Sequence, residues 1–367
     1  MIFNDTFRGK KVLITGHTGF KGSWLTVWLT KLGADIVGYS NEIPTTPSLF
    51  ETAGLAERID HRLGDVRDLP LLMRTIDETK PDFIFHLAAQ PIVSLSYTDP
   101  IGTLSSNIMG TANVLEALRL LNPDCTVIIV TSDKCYENVE WVWGYKETDA
   151  VGGRDIYSGS KGAAEVVFHA YHHSFFKRPD CRVRLATGRA GNVIGGGDWA
   201  KDRIVVDCMR NWSEGRSVEL RSPSATRPWQ HVLEPLSGYL TLAERLSKDA
   251  SLHGESFNFG PRAEQNHTVL QLMSDLSEHW DFASPEDAYR VTDNIPFHEA
   301  GLLKLNCDKA LFHLQWQATL NYDEVVRLVG HWYFDHYRNH ADMYALTLAQ
   351  IQEYETLAAD REVTWAK

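Results

Sequence analysis

The sequence predicts an α/β fold: a doubly wound parallel sheet with a smaller C-terminal substrate-binding domain. Three observations predict it. Short apolar runs alternate with amphipathic helical stretches through the first half of the chain. The first run ends in a glycine-rich turn that opens a helix. After about Arg189 the alternation gives way to loops rich in Gly, Arg, Pro and Trp.

Residues 11–15 (KVLIT) read as a buried parallel strand. Over residues 20–32, Trp24, Leu25, Trp28, Leu29 and Leu32 recur at helical spacing, and Gly33 is a natural cap. Residues 34–39 (ADIVGY) form the second strand, completing a βαβ unit. A third strand is predicted just before Asp65. Helices are predicted over 69–80, 107–121 and 157–175, with strands over 82–87 (DFIFHL) and 126–130 (TVIIV). Beyond 190, helices are predicted over 203–212 and 232–246, a returning strand over 256–259, and a polar helix over 342–357. The domain division follows: residues 1–190 with a return segment near 232–262, then a second unit from 191–231 and 263–367.

Composition narrows the function. Of 367 residues, 43% are hydrophobic and 23% charged, so the chain can bury a full core. Lys plus Arg is 36 and Asp plus Glu is 48, a formal charge of −12, which disfavours broad binding to nucleic acid or anionic membranes. The five cysteines have no CxxC spacing and the His residues no paired ligand spacing, so no metal site is expected. No run approaches the roughly 20 apolar residues of a membrane span. The N-terminal stretch lacks an apolar signal core, and a cytoplasmic location is expected.

Gly16, Gly19 and Gly22 form GxxGxxG between a strand and a helix. That pattern suits a backbone that turns sharply and lets a pyrophosphate approach a helix N-terminus, giving the Rossmann-type dinucleotide reading. An acidic residue for the adenosine ribose is expected at the end of the second strand, but the chain there reads Tyr39-Ser40-Asn41-Glu42, so Ser40 or Asn41 takes that role. No Lys or Arg follows until Arg58, which favours NAD over NADP, although Lys21 is an alternative phosphate partner. Asp65 is placed either to reach the adenine or simply to cap a surface turn.

Tyr157 and Lys161 are spaced i and i+4 on one helix face. A phenol near pKa 10 becomes a usable base near neutrality only if nearby cations lower it by about 3 units, or about 4 kcal/mol. Alone, YxxxK also describes a solvated surface pair. Here Thr131-Ser132-Asp133-Lys134 stands at the carboxyl end of the TVIIV strand, where open α/β sheets bind ligands, and Ser132 precedes Tyr157 by 25 positions.

With these elements the sequence resembles the extended short-chain dehydrogenase/reductase family. The matching stretches are the glycine turn, His86 through Gln90 (HLAAQ), Asn107, Ser132 and Tyr157 through Lys161. Within that family it is most similar to nucleotide-sugar 4,6-dehydratases, in the branch acting on CDP-glucose, through TSDKCY, WVWGYK, GRAGNVIGGGDWAKDR and RPWQHVLEPLSGY. The resemblance implies NAD held by Gly16, Gly19, Phe20, Gly22, Asp65, Val66, Leu87, Ala88, Ala89, Asn107, Tyr157 and Lys161. It implies transient oxidation at carbon 4 of a hexose with Tyr157 as base, loss of water across carbons 5 and 6, and hydride return to carbon 6. Asp133 then maps to the acid that protonates the departing 6-hydroxyl. Lys134 departs from the family, where many relatives carry Glu as the base for carbon 5. Either Lys134 is that base, which requires a neutral amine, or it stabilises the enolate while Glu137 moves the proton.

On the substrate side the resemblance implies Gln90, Asn192, Arg203, Arg227, His231 and Arg262. The three arginines suit a diphosphate through their planar forks, although each is also an ordinary ion-pair residue. A homodimer formed through the Asn107 and Tyr157 helices is implied, as is a product destined for deoxysugars of cell-surface polysaccharides. Two rivals remain at this point: a 4-epimerase or other dehydratase of the same family, and a non-catalytic NAD-sensing binding protein.

Overall fold

The computed structural model describes residues 1–220, 222–262, 264–292 and 302–367. Seven parallel strands make the central sheet: β1 (Lys11–Thr15), β2 (Asp35–Ser40), β3 (Asp60–Leu63), β4 (Phe83–His86), β5 (Thr126–Val130), β6 (Arg184–Arg189) and β7 (Ser256–Asn258). Their order across the sheet is β7-β6-β5-β4-β1-β2-β3. The chain reverses direction of travel between β1 and β4, so their carboxyl ends open a crevice there.

The inner strands β1, β4 and β5 are apolar runs because both faces are covered. On one face Val12, Ile14, Phe83, Phe85 and Ile128 pack with helix α1 (Phe20–Lys31). On the other, Leu13, Val37, Ile84, Val127 and Ile129 pack under α2 (Leu69–Thr79), α3 (Gly110–Leu121) and α4 (Ile156–Tyr171). Alternate residues of β1 serve opposite layers, as the period of two requires. Helix α5 (Leu233–Lys248) and β7 return to the sheet, β7 pairing with β6 from Ser256↔Thr187 to Asn258↔Arg189.

Two elements differ from the sequence reading. The helix around Asn107 is not regular: Ser105–Met109 is a π-helical turn, the kind of local bulge that often marks a functional position. The last long helix, α6 (Met343–Asp360), is not a polar outlier. It buries Met343, Ile351, Tyr354 and Ala358 and packs on α1, where Glu355 accepts from Trp28 Nε1 at 2.8 Å and pairs with Lys31 at 2.5 Å. Its charged positions masked an apolar stripe.

Beneath the crevice lies a buried ion pair. Arg189, at the end of β6, donates to Glu165 of α4 at 2.8 Å, with side-chain exposures of 1% and 0%. Glu165 also accepts from Thr131 (2.5 Å), Thr187 (3.1 Å) and Ser256 (3.2 Å). Arg189 reaches on to the Tyr136 hydroxyl at 2.7 Å, which in turn donates to Asn258. Burial alone would raise the Glu165 carboxyl; the Arg189 guanidinium outweighs it and holds it below the ordinary value. Removing one partner leaves the other charge buried and uncompensated. Glu165→Ala is therefore expected to cost about 3–5 kcal/mol in urea unfolding. A loss below about 1 kcal/mol would show that the pair is not a structural anchor.

Candidate active site

The glycine turn is shaped by contact. Gly16 has φ +78°, and a Cβ there would stand 2.7 Å from the Ala88 backbone nitrogen. A Cβ on Gly22 would stand 2.1 Å from the Gly16 carbonyl oxygen. Gly19 is different: its Cβ would meet nothing closer than 3.4 Å, and it caps α1 with no side chain over the helix N-terminus. Its hydrogen atom therefore keeps a cradle open for an anion. Thr15 ties the turn to the neighbouring strand through His86 Nδ1 (2.7 Å) and Ala88 N (3.3 Å). These features fit a dinucleotide pyrophosphate. Lys21, in the first turn of α1, shares its surroundings with Asp133, Lys161, Asp198 and Arg203; burial and the neighbouring cations bring it down to about 8.

At the ribose end the expected roles are redistributed. The Ser40 hydroxyl is bonded to His17 Nδ1 at 2.9 Å, and His17 Nε2 meets His61 at 2.7 Å. Burial, then His61, lowers His17 to about 3, so the His17 ring is neutral. Asn41 and Glu42 stay exposed at the rim. The Asp65 carboxylate is held by Arg67, side chain at 2.6 Å and backbone at 2.8 Å, and so caps its own turn. Val66 is buried against Gly110.

Leu87, Ala88 and Ala89 are half-buried at the crest of β4. Asn107 locks that crest from behind. Its Oδ1 accepts from Gln90 N (2.8 Å), and its Nδ2 donates to Gln90 O (3.1 Å) and Ser160 Oγ (2.8 Å). Ser160 in turn donates to the Tyr157 carbonyl at 2.6 Å. Asn107 thus couples the crest to the helix carrying Tyr157. The Gln90 amide is spent on Thr103 (2.8 Å) and the Ile92 backbone, which turns it away from the substrate role expected for it.

Ser132 ends the extended segment after β5 and caps the turn Asp133–Cys135 by accepting from Lys134 N at 3.2 Å. Its hydroxyl donates to Asp133 Oδ1 at 2.9 Å and stands near enough to the Tyr157 phenol to favour its ionised form. Ser132, Asp133, Tyr157 and Lys161 are all buried. Electrostatics differ from the sequence expectation. Burial pushes the Tyr157 phenol up to about 12, with Ser132 opposing and Asp133 reinforcing. Burial also brings Lys161 down to about 8, partly offset by Cys135 and Glu165. The chain alone therefore does not prepare a phenolate; a cation bound in the crevice has to supply the difference. Lys134 is half-buried, while Glu137 is exposed with its amide committed to Ala150 O. Cys135 is sealed, and burial holds its thiol well above the ordinary value.

Facing Asp133 is a small cleft lined by Gly191, Asn192, Pro228, Gln230 and Lys304. Asn192 Nδ2 stands 3.5 Å from Asp133 Oδ2. Arg203 is paired with Asp198 and lies in the field of Tyr157. Arg227 sits half-buried on the short strand Thr226–Arg227, which pairs antiparallel with His267–Thr268. Arg262 is exposed beyond the cleft. His231 is a correction: it is fully buried, accepts from Leu233 N at 3.3 Å, and packs edge-on to Trp24. It is a core residue, closed off from solvent against the Trp24 ring of α1. Sequence reasoning missed Gly191, Gln230 and Lys304; the first two lie inside the GRAGN and RPWQHV stretches, and nothing near Lys304 in sequence signals it. Among the described residues no group of three His, Cys, Asp or Glu is placed to hold a metal.

A fold of this topology, with a serine, a buried tyrosine and a lysine at the switch point, defines a dinucleotide-dependent enzyme of small hydroxylated substrates. Residues 13–329 match the family described as GDP-mannose 4,6 dehydratase, and the chain belongs to that family. It is 45% identical over 359 residues to CDP-glucose 4,6-dehydratase of Salmonella typhimurium, covering 96% of this chain and 98% of that protein. It is 30% identical to UDP-glucuronate 4-epimerase 4 of Arabidopsis thaliana, over 92% of this chain and 78% of that protein. Among solved structures, DesIV, a dTDP-glucose 4,6-dehydratase from Streptomyces venezuelae with NAD and TYD bound, superposes with a TM-score of 0.75 at 20% identity, covering 91% and 99% of the two chains. UDP-glucose 4-epimerase from Thermus thermophilus gives 0.74 at 22% identity, covering 90% and 100%.

The Tyr157 electrostatics make a direct expectation. The phenolate titration lost in Tyr157→Phe stands at about 12 in the ligand-free protein. With NAD present it is expected to fall by about 2 units or more. A ligand-free midpoint at the ordinary tyrosine value of about 10 would contradict the burial argument.

Proposed function

We propose that the chain is a CDP-glucose 4,6-dehydratase: it converts CDP-glucose to CDP-4-keto-6-deoxyglucose and water, with NAD as a resident coenzyme. The observation that carries this reading is the buried Asp133 carboxyl, hydrogen-bonded to Ser132 beside the buried Tyr157 phenol. A simple dehydrogenase or 4-epimerase needs only the serine, tyrosine and lysine; water loss needs an added acid. The near full-length relative supports CDP-glucose as the substrate.

NAD, when bound, supplies acceptance and return of the hydride. Gly16, Gly19, Phe20 and Gly22 would hold its pyrophosphate side, and Val66 with Leu87 to Ala89 the base and ribose walls. Tyr157 removes the proton of the 4-hydroxyl, with Ser132 orienting that hydroxyl and Lys161 stabilising the phenolate. The new carbonyl acidifies the hydrogen on carbon 5. Lys134, rather than the exposed Glu137, serves carbon 5. Asp133 gives its proton to the oxygen on carbon 6, the carbon–oxygen bond breaks, and water leaves. Arg203 and Arg227 supply countercharge for the diphosphate, and Asn192 faces the hexose. The sugar lies between the sheet crevice and the segments after residue 190.

The active form in this reading is a cytoplasmic homodimer. Met109 and Val166, 53% and 56% exposed, lie on the two helical segments expected to pair, and Ile101, 74% exposed, lies on the helical turn just before the first, giving an apolar face. Among the described residues no helix is long and apolar enough to cross a membrane. The product is a precursor for deoxysugars of surface polysaccharides.

Incubation with NAD and a panel of nucleotide-hexoses is expected to give alkali-induced keto-sugar absorbance from CDP-glucose first. A 4-epimer without water loss would refute dehydration, and NAD binding with no turnover of any hexose would favour a binding protein. Asp133→Asn is expected to slow water loss by about 100-fold while oxidation at carbon 4 proceeds; equal slowing of both steps would remove the acid from the account. Ile101→Asp combined with Val166→Asp is expected to yield monomers in sedimentation, and an unchanged oligomer would place the interface elsewhere.

A further inference from the structure

Gln230 occupies an unusual position for a long polar side chain. It is 1% exposed, on a two-residue strand that pairs in parallel with Val193–Ile194. Its carboxamide is oriented without ambiguity: Nε2 donates to the carbonyl oxygens of Gly191 at 2.8 Å and Phe259 at 3.1 Å, which uses both N–H groups. Its backbone N–H donates to Asn192 O at 3.1 Å. One residue therefore ties both members of the Gly191–Asn192 pair, and anchors them to the end of β7 through Phe259.

That pair is what presses on Asp133. A Cβ on Gly191 would lie 2.0 Å from the Asp133 carboxyl group. Asn192 adopts φ +54°, the left-handed conformation, and its amide stands 3.5 Å from Asp133 Oδ2. A loop held in such a conformation against a carboxyl needs its backbone carbonyls satisfied, and Gln230 does this. The cleft wall contains Gln230, Gly191, Asn192 and Asp133 together.

We propose that Gln230 is a positioning residue for the acid Asp133, holding the Gly191–Asn192 loop so that the carboxyl faces the departing oxygen on carbon 6. The assignment rests on the dehydratase reading and deepens it. Gln230 has no part in removing the 4-hydroxyl proton, which belongs to Tyr157 and Ser132. Loosening the loop therefore separates the two halves of the reaction: electrons leave carbon 4, but the carbon–oxygen bond at carbon 6 breaks slowly.

The test uses the NAD-loaded protein, CDP-glucose and Gln230→Met, which keeps the side chain's length but none of its hydrogen bonds. The expected result is a fall in kcat of about 10- to 100-fold with KM within about threefold of wild type. Reduced-coenzyme absorbance, low at steady state in wild type, becomes the main enzyme signal, as in Asp133→Asn. The double variant is no slower than Asp133→Asn by more than about threefold, because both changes disable one step. An equal kcat loss without that absorbance, or losses that multiply, overturns the assignment. Gly191→Ala crowds the Asp133 carboxyl from the loop itself and shifts the carbonyl that the Gln230 amide holds, so it answers if Gln230→Met does not fold. The same stalled signal supports the proposal, and an unchanged partition overturns it. Wild-type protein that turns over no CDP-hexose overturns the dehydratase reading and this assignment with it; wild-type turnover with no stalled signal in either variant overturns the assignment alone.

Discussion

The Glu165–Arg189 ion pair is the point on which the catalytic geometry rests. It joins three elements that are far apart in sequence: the end of β5 through Thr131, the helix of Tyr157 and Lys161 through Glu165, and the end of β6 through Arg189. Tyr136 extends the link to the turn that carries Asp133. Both charges are out of water, so each is tolerable only while the other stays in place. That condition fixes where the helix sits against the sheet, and hence where the phenol and ammonium stand relative to Ser132. Asn107 repeats the device with neutral groups on the opposite flank, binding both backbone atoms of Gln90 and the Ser160 hydroxyl.

Above that anchor, the site is arranged so that the ligand-free state is inactive. Burial disfavours the charged forms of both Tyr157 and Lys161. A phenol buried in this way stays protonated until a cationic group arrives beside it. Coupling its ionisation to occupancy keeps proton removal at carbon 4 in step with the presence of an electron acceptor. Lys21 adds a cation to the same field, near Asp133 and Arg203, so the charge balance of the cleft is set by more residues than the serine, tyrosine and lysine alone.

Much of this was legible in sequence because it is local. KVLIT, DFIFHL and TVIIV are apolar on both faces, which only a covered parallel sheet explains. Gly16, Gly19 and Gly22 announce a turn into a helix, and Tyr157 with Lys161 announces one helix face. The illegible parts are long-range pairings. Nothing near Ser40 signals that His17 takes its hydroxyl, and nothing near Gln90 signals that its amide folds back on Thr103. His231 was placed in the cleft by its neighbours in sequence, but strand alternation turns it into the core. Gln230, the adjacent residue, is the one that reaches the loop over Asp133. The final helix read as polar because its buried stripe is interleaved with carboxylates, one of which, Glu355, is itself buried against Trp28 and Lys31.

The central claim is that one crevice first removes and then returns the same pair of electrons, with water lost in between. The measurement that tests it most directly is turnover of CDP-glucose carrying deuterium on carbon 4 in ordinary water, with the product read by nuclear magnetic resonance. The account predicts the deuterium on carbon 6 of a 4-keto-6-deoxy product and a solvent hydrogen on carbon 5. Deuterium released to solvent, or a product that keeps its 6-hydroxyl, would contradict it.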